Sequence, residues 1–294
     1  MTCWKTTLES RSAIKIYSLT RFSIKVLILS DLHFGHAASS AGLWLDGIST
    51  LARNYDRVIL NGDTLDRYER LGCQPNSEQL ISDVVSACRS RSGPPEIIAG
   101  NHDPAISTLH WVYLAQSATL IFHGDCITDC THPSKSTEQR LASAMRERWR
   151  KIGGRPQKFQ ELLPVFREAQ GHHLRENPRM LESRTASRYL LRTVFPPHRP
   201  LHVLYYWWKA PGRVAQLAAT FDQPVRHVVV GHSHLPGRWR RHGLTIFNTG
   251  GCMPLTTPFA VCAEGSRVTF QRLTHLLRSS RVIFAPIVTN DKRA

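Results

Sequence analysis

Short apolar runs alternate with helix-spaced stripes over the first 125 residues, and each apolar run stops at a small polar cluster. Ile24-Lys25-Val26-Leu27-Ile28-Leu29 is mostly apolar and rich in β-branched residues, and it ends at Ser30-Asp31. That pattern predicts a buried strand. A helix is expected over 42–54, with Leu43, Leu45, Ile48 and Leu51 on its apolar side. The next strand, Arg57-Val58-Ile59-Leu60, ends at Asn61-Gly62-Asp63. Residues 77–89 carry Leu80, Ile81, Val84, Val85 and Cys88 along one stripe, again a helix. A third strand, Glu96-Ile97-Ile98-Ala99, ends at Gly100-Asn101-His102-Asp103, and a fourth, 119–122, ends at His123-Gly124-Asp125. Strand–helix–strand alternation of this kind is the mark of an α/β sheet.

The pattern then changes. Residues 133–224 read as helical, rich in Arg and punctuated by Pro. Strands resume at 226–230, which runs into Gly231-His232-Ser233-His234, and three more are expected at 244–248, 258–263 and 267–273. The domain is thus read as 22–274, with 133–224 inserted in it. Residues 1–21 and 275–294 are expected to be flexible or loosely packed ends.

Charge adds a second asymmetry. The 294 residues hold 38 Lys and Arg against 22 Asp and Glu, a net of +16. The insertion alone has 17 against 7, so it carries most of the surplus. A surplus of this size points to an anionic partner: phosphate, an acidic membrane surface or nucleic acid. Nucleic acid is the weakest of these, because no helix-turn-helix, zinc finger or aromatic RNA-binding motif is visible. At 41% hydrophobic residues the chain is not of the disordered class, and it has no apolar run of membrane-spanning length. The seven Cys include no CxxC pair, and the N-terminus lacks an apolar signal core. Both fit a reducing, cytoplasmic setting. Cys126 and Cys130 are spaced like half of a zinc site without a second half.

In open α/β sheets, sites gather at the carboxyl ends of strands. Here those ends deliver Asp31, His33, Asp63, Asn101, His123, His232 and His234 in order. Residues i and i+2 of an extended segment face the same way, so Asp31 can converge with His33, and His232 with His234. Two carboxylates, an amide oxygen and four imidazoles form a mixed N/O set that suits manganese, iron or zinc. Seven ligands exceed the needs of one ion and suit two. Paired metals activate water and clamp the oxygens of an in-line phosphoryl displacement.

Together, Asp31-Leu32-His33, Gly62-Asp63, Gly100-Asn101-His102-Asp103, His123 and Gly231-His232-Ser233-His234 resemble the calcineurin-like metallophosphoesterase superfamily. The resemblance implies a sandwich of two mixed β-sheets flanked by helices, and two divalent metal ions, with manganese expected first. It implies that Asp31, His33, Asp63 and His234 hold one metal, while Asp63, Asn101, His123 and His232 hold the other. His102 would then stand near the scissile phosphate as a catalytic group, with Asp103 orienting its ring.

The helical insertion after His123-Gly124-Asp125 and the Asn248-Thr249-Gly250-Gly251 turn are similar to the UDP-2,3-diacylglucosamine diphosphatase branch. That likeness implies a helical lid and a lipid-linked substrate. The row Tyr205-Tyr206-Trp207-Trp208 beside Lys209 and Arg213 suits a membrane interface, where the protein would sit peripherally on the inner face. Asp66-Arg67 after Gly62-Asp63 instead resembles an element of protein serine/threonine phosphatases, which lack the His-x-His pair seen at Gly231. A nuclease or phosphodiesterase of the same superfamily is the alternative, and a non-catalytic nucleic-acid-binding protein a more distant one.

Overall fold

The computed structural model describes residues 23–66, 77–127, 143, 145–154, 157–166 and 198–283. The leader 1–21, Arg67, Cys130 and much of the expected insertion lie outside the described residues.

The strands are β1 (Lys25–Leu29), β2 (Arg57–Asn61), β3 (Glu96–Ile98), β4 (Trp111–Leu114), β5 (Thr119–Phe122), β6 (His227–Val230), β7 (Gly237–Arg241), β8 (Leu244–Asn248), β9 (Phe259–Glu264) and β10 (Arg267–Arg272). They form two five-stranded sheets, ordered β10-β9-β1-β2-β3 and β4-β5-β6-β8-β7. Both are mixed. β1, β2 and β3 run parallel, while β9 and β10 are antiparallel additions. β5, β6 and β8 run parallel between the antiparallel edge strands β4 and β7. The fold is an α/β sandwich of two sheets with helices on its flanks.

The alternation of side chains along each strand explains why β1 and β2 are apolar throughout. Leu27, Leu29, Val58 and Leu60 face outward into a core shared with the helices. Val26, Ile28 and Ile59 face inward and meet Val112, Ile121, Val229 and Phe247 of the second sheet. Successive residues point to opposite faces, so a strand covered on both sides must be apolar at every position. The outer face of the second sheet, with Leu120, Phe122, Val228 and Val230, is covered by Phe159, Leu163, Val214 and Ala218.

The helices are α1 (Leu45–Ala52), α2 (Ser77–Ala87), α3 (His198–Ala218) and α4 (Leu273–Ile283), with further helical residues at 145–151 and 159–166. Two expectations need correction. The helix read over 42–54 begins as a 3-10 turn, Ala41–Trp44, and Leu43 points to solvent instead of joining the apolar stripe. Residues 275–283, expected to be loose, belong to α4, which buries Leu273, Leu276 and Leu277 against the core around α1. No helix among the described residues is long and apolar enough to cross a membrane.

Candidate metal centre

The loops at the carboxyl ends of β1, β2, β3, β5 and β6 converge, and backbone geometry aims their side chains. Asp31, His33, Asp63, His232 and His234 all have positive φ, between 48° and 64°. Non-glycine residues avoid this left-handed region, and clusters of such strain gather where function requires a fixed geometry. The i, i+2 pairs therefore converge through tight left-handed turns, not through the extended backbone expected from sequence. Close approach also demands glycine. A Cβ on Gly231 would run into Ser30 Oγ and the Asp31 carboxylate, and one on Gly62 into the His123 ring.

All seven expected metal ligands meet here. Asp31, His33, Asp63 and His234 offer ligand atoms lying within 4.8 Å of one another, and so do Asp63, His123 and His232. Asp63 belongs to both groups. His33 Nε2 is 3.1 Å from His234 Nε2, and His234 Nε2 is 3.2 Å from Asp31 Oδ1. On the other side, His123 Nε2 lies 3.2 Å from Asp63 Oδ2. Asn101 Oδ1 lies 3.1 Å from His123 Nε2 and 2.7 Å from His232 Nδ1. Donor atoms sharing one ion at about 2.0–2.2 Å stand roughly 3 Å apart, so these spacings fit divalent cations. The His123 ring is fixed from behind. Its Nδ1 lies 2.9 Å from the Asn61 carbonyl oxygen, which can only accept, so Nδ1 carries the proton and Nε2 presents a lone pair.

The electrostatics agree. Burial raises the cost of charge on Asp63, yet the imidazoles of His123, His102 and His33 hold its carboxyl well below the usual carboxylate range. Asp31 is likewise held low: burial opposes it, but the His234 hydrogen bond and the charge of His123 prevail. Burial pushes His33 down, and it pushes His232 down to about 4, with His123 adding to the effect. His123 goes the other way, to about 10, because Asp63 outweighs burial. A cation replaces such protons with a larger charge on the same donors.

His102 stands beside this cluster, its ring edge-on to His33 with centroids 4.7 Å apart. Burial works against its charge, but Asp63 and a hydrogen bond with Asp66 raise its pKa to about 9. That bond joins His102 Nδ1 and Asp66 Oδ1 at 2.8 Å. Asp66 is thus the partner of the ring, and the expectation that Asp103 orients it is corrected. The Asp103 carboxylate is saturated elsewhere. Its Oδ1 accepts from the backbone N–H of Asp63 and Gly100, its Oδ2 from those of Thr64 and Leu65. It ties the β2 loop to the β3 loop. The sequence signal for this partner is Asp66 itself, three residues beyond Asp63 in the Asp66-Arg67 pair.

The aromatic row of α3 also divides. Trp207 Nε1 donates to the Ser233 carbonyl, and the Tyr206 ring meets the His232 ring edge-on at 6.3 Å. These two face the site. Tyr205 and Trp208 face solvent, so the row is divided between the site and the outer surface.

A two-sheet α/β sandwich that collects buried and half-buried Asp, Asn and His donors at its strand ends has the layout of a metal-binding hydrolase of phosphate esters. The chain belongs to the calcineurin-like phosphoesterase family, whose model matches residues 24–236. Solved structures similar in fold include a dimetal phosphatase from Danio rerio (11% identity, TM-score 0.41, covering 85% of this chain and 99% of that one). Others are a single mutant of Vps29 from Entamoeba histolytica (12%, TM-score 0.36, 85% and 98%) and a predicted phosphoesterase from Streptococcus pneumoniae (14%, TM-score 0.33, 85% and 90%). No curated protein matches the sequence.

Proposed function

We propose that this chain is a dinuclear-metal hydrolase that cleaves a phosphoester or diphosphate bond, in the finer reading that of a UDP-linked lipid or another membrane-associated donor. The observation that carries the first part is the membership of Asp63 in both donor groups. Asp31, His33 and His234 would hold one ion, Asn101, His123 and His232 the other, and Asp63 both. Bound there, a metal pair, manganese by the donor set with iron and zinc as alternatives, supplies an acidified water and charge for the phosphoryl oxygens.

The chain's own residues do the rest. Asp66 accepts from His102 Nδ1, which fixes the ring and leaves Nε2 to hold a proton for the leaving oxygen. Asp103 holds the β2 and β3 loops together, so that Asp63 and Asn101 keep their places. Tyr206 and Trp207 line the approach beside His232 and Ser233. The lipid part is supported by the basic insertion and by the aromatic residues that α3 leaves exposed.

A substrate panel in manganese tests the proposal: UDP-diacylglucosamine, an aryl phosphodiester, an aryl phosphomonoester and single-stranded DNA. Hydrolysis of the UDP-lipid above the others supports the full reading. Cleavage of DNA with the lipid untouched replaces the lipid substrate by a nucleic acid. No turnover of any of the four overturns the phosphoesterase reading.

A further inference from the structure

The outer side of α3 presents Leu201, Leu204, Tyr205 and Trp208, which are 67%, 56%, 47% and 69% exposed. Their spacing of three, one and three residues places them on one face of a helix. Other positions of the helix are committed to the protein: Val214, Ala215 and Ala218 in its C-terminal half enter the core, and Trp207 is bonded to the Ser233 carbonyl. Leu43 and Leu255 are more exposed still, at 84% and 83%. They lie on the loops that follow β1 and β8, and those loops are joined where Ser40 N–H donates to the Cys252 carbonyl. The Cys252 N–H in turn donates to the Asp31 carbonyl. Six large apolar side chains thus project from segments bonded to the metal-ligand loops.

Charge selects among partners. α3 contains no Asp or Glu, and Lys209 Nζ lies 4.7 Å from the Trp208 ring centroid and 5.7 Å from that of Tyr205. α3 packs against β7, whose Arg240 and Arg241 are exposed. A second copy of this chain would bring like charge against like. A nucleic-acid backbone would gain nothing from four exposed apolar side chains in a row. Rings and leucines edged by cations match an anionic bilayer interface, where rings settle among headgroups and cations meet lipid phosphate.

We infer that the outer face of α3, together with Leu43 and Leu255, is a docking surface for an anionic lipid bilayer that turns the metal-ligand loops toward the membrane. The inference rests on the proposed membrane-associated substrate and adds the surface that would reach it.

The test is co-sedimentation of the full chain with vesicles of phosphatidylcholine, or of phosphatidylcholine with phosphatidylglycerol. Binding is scored without turnover, so failure here leaves the phosphoesterase reading standing, and failure of the substrate panel leaves docking standing. The expected result is selective binding to the phosphatidylglycerol vesicles. Leu204→Ser with Trp208→Ser should weaken it at least about tenfold, because the apolar contact is lost. Lys209→Gln should weaken it about fivefold, and only on anionic vesicles. Leu43→Ser with Leu255→Ser should also weaken it, independently of α3. The substituted Leu and Trp side chains are exposed and Lys209 is half-buried, and an unchanged thermal transition establishes that each variant is folded. Failure of the native chain to sediment with either vesicle overturns the inference. So does undiminished binding by the α3 double variant, or a dimer that this variant dissolves.

Discussion

At the scale of single residues, the ligand types were legible and their geometry was not. Seven polar side chains following predicted strands could be named because each sits beside a glycine or another donor in a short cluster. The left-handed turns at Asp31, His33, Asp63, His232 and His234 could not, because Asp and His tolerate positive φ more often than most residues but do not require it. The same limit misassigned Asp103. Adjacent in sequence to His102, its carboxylate points away and collects four backbone N–H groups. Two expectations follow. Asp103→Ala leaves those buried donors without an acceptor, and urea unfolding should show a loss of at least about 3 kcal/mol, well beyond an ordinary substitution. His102→Ala should instead keep the metals and the stability while lowering kcat by about 10²–10⁴-fold, the usual contribution of a positioned acid. Asp66→Asn should lower kcat less. Added to His102→Ala it should change little beyond its effect on His33, whose Nδ1 lies 3.8 Å from the same carboxylate. Metal loss in the His102 variant would make the residue a ligand.

At the scale of elements, the strands buried on both faces were easy to read, because each is a continuous apolar run. β4, β7 and α4 were missed for separate reasons. β4 has only four residues, too few for an alternating pattern to stand out. β7, Gly-Arg-Trp-Arg-Arg, is an exposed edge strand whose charges hide its pairing with β8, a common way of protecting an edge. α4 carries so many Arg and Ser residues that its Leu273, Leu276 and Leu277 stripe did not stand out. The β6 loop gives the sharpest test at this scale. Gly231 sits where any side chain would collide with Ser30 and Asp31. Gly231→Ala should therefore displace Asp31 and His232 together, lowering metal content and hydrolysis while leaving far-UV circular dichroism intact. A fully loaded, fully active alanine variant would show that the loop has room to spare.

At the scale of the whole molecule, the sandwich brings the ends of two separate sheets to one point, where Asp63 belongs to both donor groups. Sequence order showed an α/β alternation followed by a β-rich finish, and only the family resemblance implied that the strands divide into two sheets. A metal that binds the folded chain and not the unfolded one adds, at about 100 times Kd, ~2.7 kcal/mol per site. At about 2–4 °C per kcal/mol for a chain of this size, chelation should lower Tm by roughly 10 °C or more for two ions. An unchanged Tm after chelation would mean that the cluster holds no metal in solution. Anomalous diffraction from manganese-soaked crystals tests the central claim most directly. The account predicts two peaks about 3.5–4 Å apart, both bonded to Asp63. One should also contact Asp31, His33 and His234, the other Asn101, His123 and His232. A single peak, or two peaks that do not share the Asp63 carboxylate, would contradict it.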